Sequence, residues 1–183
     1  MNREQALAIL YDYTETDSLR KHAYAVEAAM RAYAQKYNED PELWGAVGLI
    51  HDFDYEKYPE DHPMKGNEIL AKKGIPEEIR NVIMGHAEFT GVSRDTLMAK
   101  VLYAVDELCG FIVAVTLVRP TRSVSEVSVK SVKKKMKDKR FAAKVNRDEI
   151  RKGAEELGID FDEHVSFVIK ALSPVAKDLG VNP

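Results

Sequence analysis

Between Leu97 and Val118 runs the most apolar segment of the chain, and near its middle stands an acid, Asp106. The segment is long enough to suggest a membrane span, but Lys100, Asp106 and Glu107 interrupt it and argue against one. The alternative is a buried helix, from about Arg94 to Val118, at the centre of a helical protein. Asp106 has Leu102 and Tyr103 one turn before it and Cys109 and Gly110 one turn after, so it projects from an apolar face. An ionised carboxylate there needs a partner or a shifted pKa. A metal ion is one such partner; a buried histidine, or a backbone group that the carboxylate caps, is another. Glu107 beside it reads as a side chain that reaches solvent.

The rest of the chain carries the same helical period. Asn2 to Tyr13 places Ala6, Ile9, Leu10 and Tyr13 at helical spacing, and the cluster from Thr14 to Ser18 supplies turn and capping chemistry. A second helix is predicted from about Ser18 to Tyr37, with His22, Ala25, Val26, Ala29 and Tyr33 on one stripe. Asp40-Pro41-Glu42 opens a third, in which Leu43, Val47 and Ile50 point inward and which ends at His51-Asp52. A shorter element containing Ile69 and Leu70 closes at Lys72-Lys73-Gly74. Another, opened by Ile75-Pro76-Glu77-Glu78, turns Ile79, Val82 and Ile83 inward and leads to Gly85-His86. Asp148 to Leu157 forms one element closed by Gly158, and Phe161, Val165, Val168, Ile169, Leu172 and Ala176 mark a long amphipathic helix to the end. His164 falls off that stripe and reads as a surface histidine. Strand-like alternation and internal repeats are absent. The expected fold is therefore all-α, a single-domain helical bundle spanning residues 1–183, a length sufficient to bury a substantial core.

Composition excludes little else. A formal net charge of -3 with 31% charged residues gives no global signal for nucleic acid or membrane. The lone Cys109 allows no disulfide framework, and the polar start Met1-Asn2-Arg3-Glu4-Gln5 lacks the pattern of a secretory signal. A cytoplasmic protein is expected.

The chemistry lies in the histidines. His51-Asp52 ends one apolar helix, and His86 is placed at the end of another in the same way. Adjacent residues on a helix diverge by about 100°. His51 and Asp52 can therefore reach one centre only where the helix stops, and the turn-prone segment Asp54 to Pro59 supplies that stop. His22 on its stripe reads alone as a core histidine hydrogen-bonded to backbone, or with partners as a ligand. In chain order the ligand types are His22, His51-Asp52, His62, His86 and Asp106, four of the five histidines among them. A mononuclear site needs only His22, His51, Asp52 and Asp106. That leaves His62 and His86 for a second ion, with Asp52 bridging the two.

This pattern, H…HD…H…H…D, resembles the HD superfamily of metal-dependent phosphohydrolases, an all-α family. The resemblance covers about residues 17–118 and implies His22, His51, Asp52 and Asp106 as the family's metal ligands. His62-Pro63 and Gly85-His86 resemble the additions of its binuclear branches. It does not extend to cyclic-dinucleotide specificity, because the Gly-Lys after the His-Asp pair and the Gly-Tyr-Pro of those enzymes are missing. The chain has Phe53-Asp54-Tyr55-Glu56-Lys57 instead.

The implied activity is hydrolysis of a phosphoester in a small phosphorylated substrate, a nucleotide first among the candidates. Two divalent ions sharing a water lower its pKa toward neutrality and provide a hydroxide nucleophile, which Asp52, the bridging residue, would orient. Nitrogen and oxygen ligands without cysteine suit manganese, iron, cobalt, nickel or zinc. A di-iron oxygenase of the same family, and a metal-holding regulatory module without activity, are the alternatives.

Residues Arg119 to Arg147 hold eleven Lys or Arg against Glu126 and Asp138. Such a run is either a solvated helix face or a cationic rim for phosphate. Lys57, Arg119, Lys130 and Lys134 are the candidate phosphate contacts. Nucleic acid is disfavoured, because Phe141 is the only ring in the stretch. Oligomeric state leaves no mark in the sequence.

Overall fold

Most helices begin on a side chain that satisfies backbone donors left free at the first turn. In the computed structural model, which describes residues 1–183, α1 (Arg3–Tyr13) opens on Asn2. The Asn2 side chain accepts from the Gln5 N–H, and the Gln5 side chain accepts from the Asn2 N–H. Asp40 caps α3 (Pro41–Ile50), Thr96 caps α6 (Leu97–Leu117), and Asp160 caps α9 (Phe161–Leu172). α2 (Asp17–Tyr37) stops at Asn38 and α8 (Arg147–Leu157) at Gly158, both in the left-handed region. α4 (Met64–Lys72), α5 (Glu77–Met84) and α7 (Val129–Met136) complete an all-helical bundle without strands.

α6 lies at the centre, with α2 against one side of it and α8 against another. One cluster of 40 buried apolar residues runs from Ala6 to Val181, so the chain has a single core. Two glycines face the backbone of a neighbouring helix at close range. A Cβ on Gly48 would come within 3.1 Å of the Glu27 backbone, which locks α3 against α2. A Cβ on Gly153 would stand 2.5 Å from the Ala104 Cα, which locks α8 against α6. The first contact fixes the end of α3, where His51 sits, relative to His22. The second fixes Glu149, one turn before Gly153, relative to Asp106.

Two expectations are corrected. The last long helix ends at Leu172, because Pro174 has no N–H to continue the ladder, and Ser173–Val175 forms a 3-10 turn. Ala176, Leu179 and Val181 nevertheless reach the core. His164 is fully buried, not a surface residue. Its Nδ1 accepts from the Tyr33 hydroxyl at 2.6 Å, and its Nε2–H donates to the Ala104 carbonyl at 2.9 Å. It thereby ties α9 to α2 and α6, and burial pushes its pKa down to about 4.

The basic stretch contains α7, whose Val132 and Met136 face inward while Lys130, Lys133 and Lys134 are exposed. This is the arrangement of a solvated helix face. No helix is long and apolar enough to cross a membrane.

Candidate metal centre

The centre assembles from helix ends and helix faces. α3 stops at Ile50, and the turn from His51 lets both His51 and Asp52 project to one point. α2 presents His22 and α6 presents Asp106 from opposite sides. The turn before α4 carries His62, and the end of α5 carries His86.

These six side chains form two groups that share Asp52. His22, His51, Asp52 and Asp106 make one group; Asp52, His62 and His86 make the other. Within each group the ligand atoms lie within 4.8 Å of one another. His22 Nε2 is 2.9 Å from Asp106 Oδ1. His51 Nε2 lies 3.4 Å from Asp52 Oδ2 and 3.3 Å from Asp106 Oδ1. The other oxygen of Asp52, Oδ1, is 3.3 Å from His62 Nε2 and 3.1 Å from His86 Nε2. Asp52 thus turns one oxygen toward each group.

Three of the four imidazoles are held by their far nitrogens. The Nδ1–H of His51 donates to the Gly48 carbonyl at 2.8 Å, and that of His86 donates to the Ile83 carbonyl. The Nδ1–H of His62 donates to Asp54 Oδ1 at 2.8 Å. Asp54 is itself buried, and its Oδ2 accepts the Gly66 N–H at 2.7 Å. Each arrangement leaves the Nε2 lone pair aimed inward, as metal-binding histidines require.

The donor set fits divalent cations on three observations. His51 Nε2 is buried and has no hydrogen-bond partner. The Nε2 atoms of His62 and His86 face each other at 3.3 Å, so two lone pairs meet unless a cation or a proton stands by them. The charge balance points the same way. Burial alone would lower the pKa of His51, yet Asp52 and Asp106 hold it well above the ordinary imidazole range. Burial likewise opposes the charged form of His62, and hydrogen bonds to Asp52 and Asp54 raise it to about 9. Against their own burial, His51 and the other imidazoles keep Asp52 and Asp106 below the usual carboxylate range. A cluster that attracts protons this strongly also attracts metal ions, which take their place.

The centre opens into a pocket of about 620 Å³. Beyond the ligands, its wall includes Tyr55, Phe89, Glu107, Lys144 and Glu149. Glu107 does not simply reach solvent. It is partly buried, accepts the Asn146 N–H at 3.2 Å, and is pushed up to about 7 by burial and by Asp106. Tyr55 and Phe89 are 45% and 71% exposed, two large rings left at the mouth of a polar site.

The expected phosphate contacts lie elsewhere. Lys57 donates to the Asp12 carbonyl and sits over the Tyr13 ring. Arg119 pairs with Glu126, and Lys130 and Lys134 are on the exposed side of α7. None of the four lines the pocket; Lys144 is the lysine that does. Nothing in the sequence distinguished Lys144 from ten other cations of its stretch. Asp54 was equally hidden among the acids of a turn, although its position two residues after Asp52 is the signal that could have marked it.

A family model described as HD domain matches residues 19–110, half of the chain, and its span takes in all six clustered side chains. No curated protein and no solved structure matches the chain.

Proposed function

The chain belongs to the HD domain family, and from that premise we propose that it is a cytoplasmic metal-dependent phosphohydrolase acting on a nucleotide or another small phosphorylated metabolite. The observation that carries this reading is Asp52, whose two oxygens face two separate ligand groups at the floor of one open pocket. His22, His51, Asp52 and Asp106 would hold one divalent ion, and Asp52, His62 and His86 a second. When bound, such ions supply an acidified water and charge stabilisation for in-line attack on phosphorus.

The chain's own residues do the rest. Gly48, Ile83 and Asp54 hold the imidazoles so that each Nε2 keeps its lone pair inward. Lys144 offers an ammonium to a phosphate oxygen from the pocket wall. Tyr55 and Phe89 present faces on which a ring of the substrate can stack, which favours a nucleotide over a simple sugar phosphate.

The test is turnover by manganese-loaded protein, under nitrogen, of a panel of phosphomonoesters, nucleotides and phosphodiesters. Release of phosphate or of a nucleoside monophosphate that disappears in Asp52→Ala is the expected result. Absence of turnover across the panel with manganese, zinc, iron, cobalt and nickel in turn would reject the reading.

A further inference from the structure

A second cavity, of about 390 Å³, is lined by His22 and by none of the other five clustered side chains. Its size is in the range of small-ligand sites, from about 300 Å³ upward. Both cavities are lined by His22 and Gly110, so those two residues are the partition between them.

Gly110 is the informative half of that partition. It stands inside the 21-residue helix α6, where glycine is a poorer helix former than any residue but proline. Crowding does not demand it. A Cβ there would meet only the His22 ring, at 3.7 and 3.9 Å, which is ordinary contact. Because Gly110 lines both cavities, any side chain there would take space from one or the other.

The second cavity has a definite chemistry. Ala25, Val113, Ala114 and Leu117 form its apolar side, and Lys21 and Arg122 bring cations to it. Lys21 is paired with Asp17, which also lines the cavity, so that its charge is already balanced. Arg122 forms no ion pair; its guanidinium has only a long contact, 3.4 Å, to the Gly180 carbonyl. An uncommitted guanidinium over an apolar wall suits a ligand with an apolar body and an oxyanion at its end.

We propose that this cavity is a second subsite of the same active centre, holding the part of the substrate remote from the reacting phosphorus, and that its occupant is an apolar or aromatic body ending in an oxyanion. The proposal rests on the phosphohydrolase reading for the word substrate and, for its place, on His22 and Gly110, which line both cavities. The substrate then extends to both sides of the metal centre, with Tyr55 and Phe89 on one side and Arg122 on the other.

Calorimetric titration of the full chain, without added metal, with biphenyl-4-carboxylate tests the subsite. Hydrolysis of phenyl phosphate and of 4′-carboxybiphenyl-4-yl phosphate by manganese-loaded protein tests its role. Arg122→Ala removes the cation from an exposed position, and Ala114→Phe fills the apolar part; circular dichroism checks that each folds. Binding to the wild type is expected, weakened about tenfold in Arg122→Ala and at least as much in Ala114→Phe. The wild type is also expected to prefer the longer ester, in kcat/KM, by about tenfold or more, with that preference falling in both variants. No binding to the wild type, or binding lost in Phe89→Ala and kept in Arg122→Ala, overturns the subsite. Turnover of neither ester beside intact binding overturns instead the phosphohydrolase reading, and with it the subsite's role in catalysis.

Discussion

His62 and His86 aim their Nε2 atoms at each other across 3.3 Å, and the Nδ1 of each is already committed, to Asp54 and to the Ile83 carbonyl. Neither ring can turn to relieve the meeting without giving up that second bond. A cation bound between them and Asp52 takes the place of the proton that His62, raised to about 9, otherwise carries. Metal binding should therefore stabilise the fold. At an ion concentration about a hundredfold above Kd, linkage gives about 2.7 kcal/mol. For a chain of this size that corresponds to a Tm rise of roughly 5–10 °C, read by scanning calorimetry with and without a chelator.

The sharing of Asp52 predicts unequal stoichiometries. Elemental analysis of metal-loaded protein should give two ions in the wild type and fewer than one in Asp52→Ala, because both groups lose a ligand. His86→Ala should keep one, since His22, His51 and Asp106 still close the other group with Asp52. Equal losses in the two variants would contradict a bridging role.

Asp54→Asn tests support from behind the ligands. The buried carboxylate of Asp54 accepts from both the His62 Nδ1–H and the Gly66 N–H. An amide can still accept from one of them but must turn its NH₂ toward the other or away. Loss of such an orienting carboxylate costs about 10–100-fold in metal affinity. Isothermal titration with manganese or zinc measures it, and the loss should fall on the weaker of the two binding events.

Part of this centre was legible in the sequence because polar residues stand out against apolar surroundings. His51-Asp52 after Leu49-Ile50, and Asp106 within α6, are conspicuous for that reason. Helix periodicity and caps likewise mark most of the elements, but the apolar period runs on to Ala176 while Pro174 ends the last helix at Leu172. Lys144 could not be found this way. It stands among the other cations of its stretch, and no helical period runs through it to say which way it faces. The burial of His164 is hidden from the sequence for a different reason. Its partners, Tyr33 and Ala104, lie 131 and 60 residues away, and only the packed helices bring a hydroxyl and a carbonyl to its two nitrogens.

That burial makes His164 a source of acid sensitivity. Its folded pKa, about 4, is below the unfolded value of 6.5. The unfolded chain therefore binds the proton first as pH falls, and stability drops with pH between about 6.5 and 4. The full loss across that window is on the order of 3 kcal/mol. Above pH 6.5 the residue contributes no pH dependence. Urea denaturation at intervals from pH 7 to 4 should show the slope, and His164→Gln, which cannot take up a proton, should flatten it while lowering stability at pH 7.

Of the glycines, Gly153 is the one packed most tightly against backbone. Adding a methyl group would place it 2.5 Å from the Ala104 Cα, backbone that cannot swing aside. Gly153→Ala should destabilise by about 1–3 kcal/mol despite the better helix propensity of alanine. Chemical denaturation measures the loss. Because the same contact positions Glu149 against the pocket, turnover should fall as well, even at temperatures where the variant remains folded.

Under the proposed function, Lys144 tests whether the pocket wall, and not the basic stretch as a whole, meets a phosphate. It is exposed, lines the pocket and shares the wall with Glu107 and Glu149, so its ammonium offsets carboxylates that would otherwise repel an anion. Lys144→Ala should raise KM for a phosphoester by roughly tenfold, the worth of one charge-assisted contact. Added salt should weaken substrate capture less in the variant than in the wild type. Lys134→Ala, on the exposed face of α7 and outside the pocket, should change KM less than about twofold, because a solvated charge beyond roughly 8 Å is largely screened at physiological ionic strength. If the two variants behave alike, the phosphate is attracted by the general field of residues Arg119 to Arg147 and not by a contact in the wall.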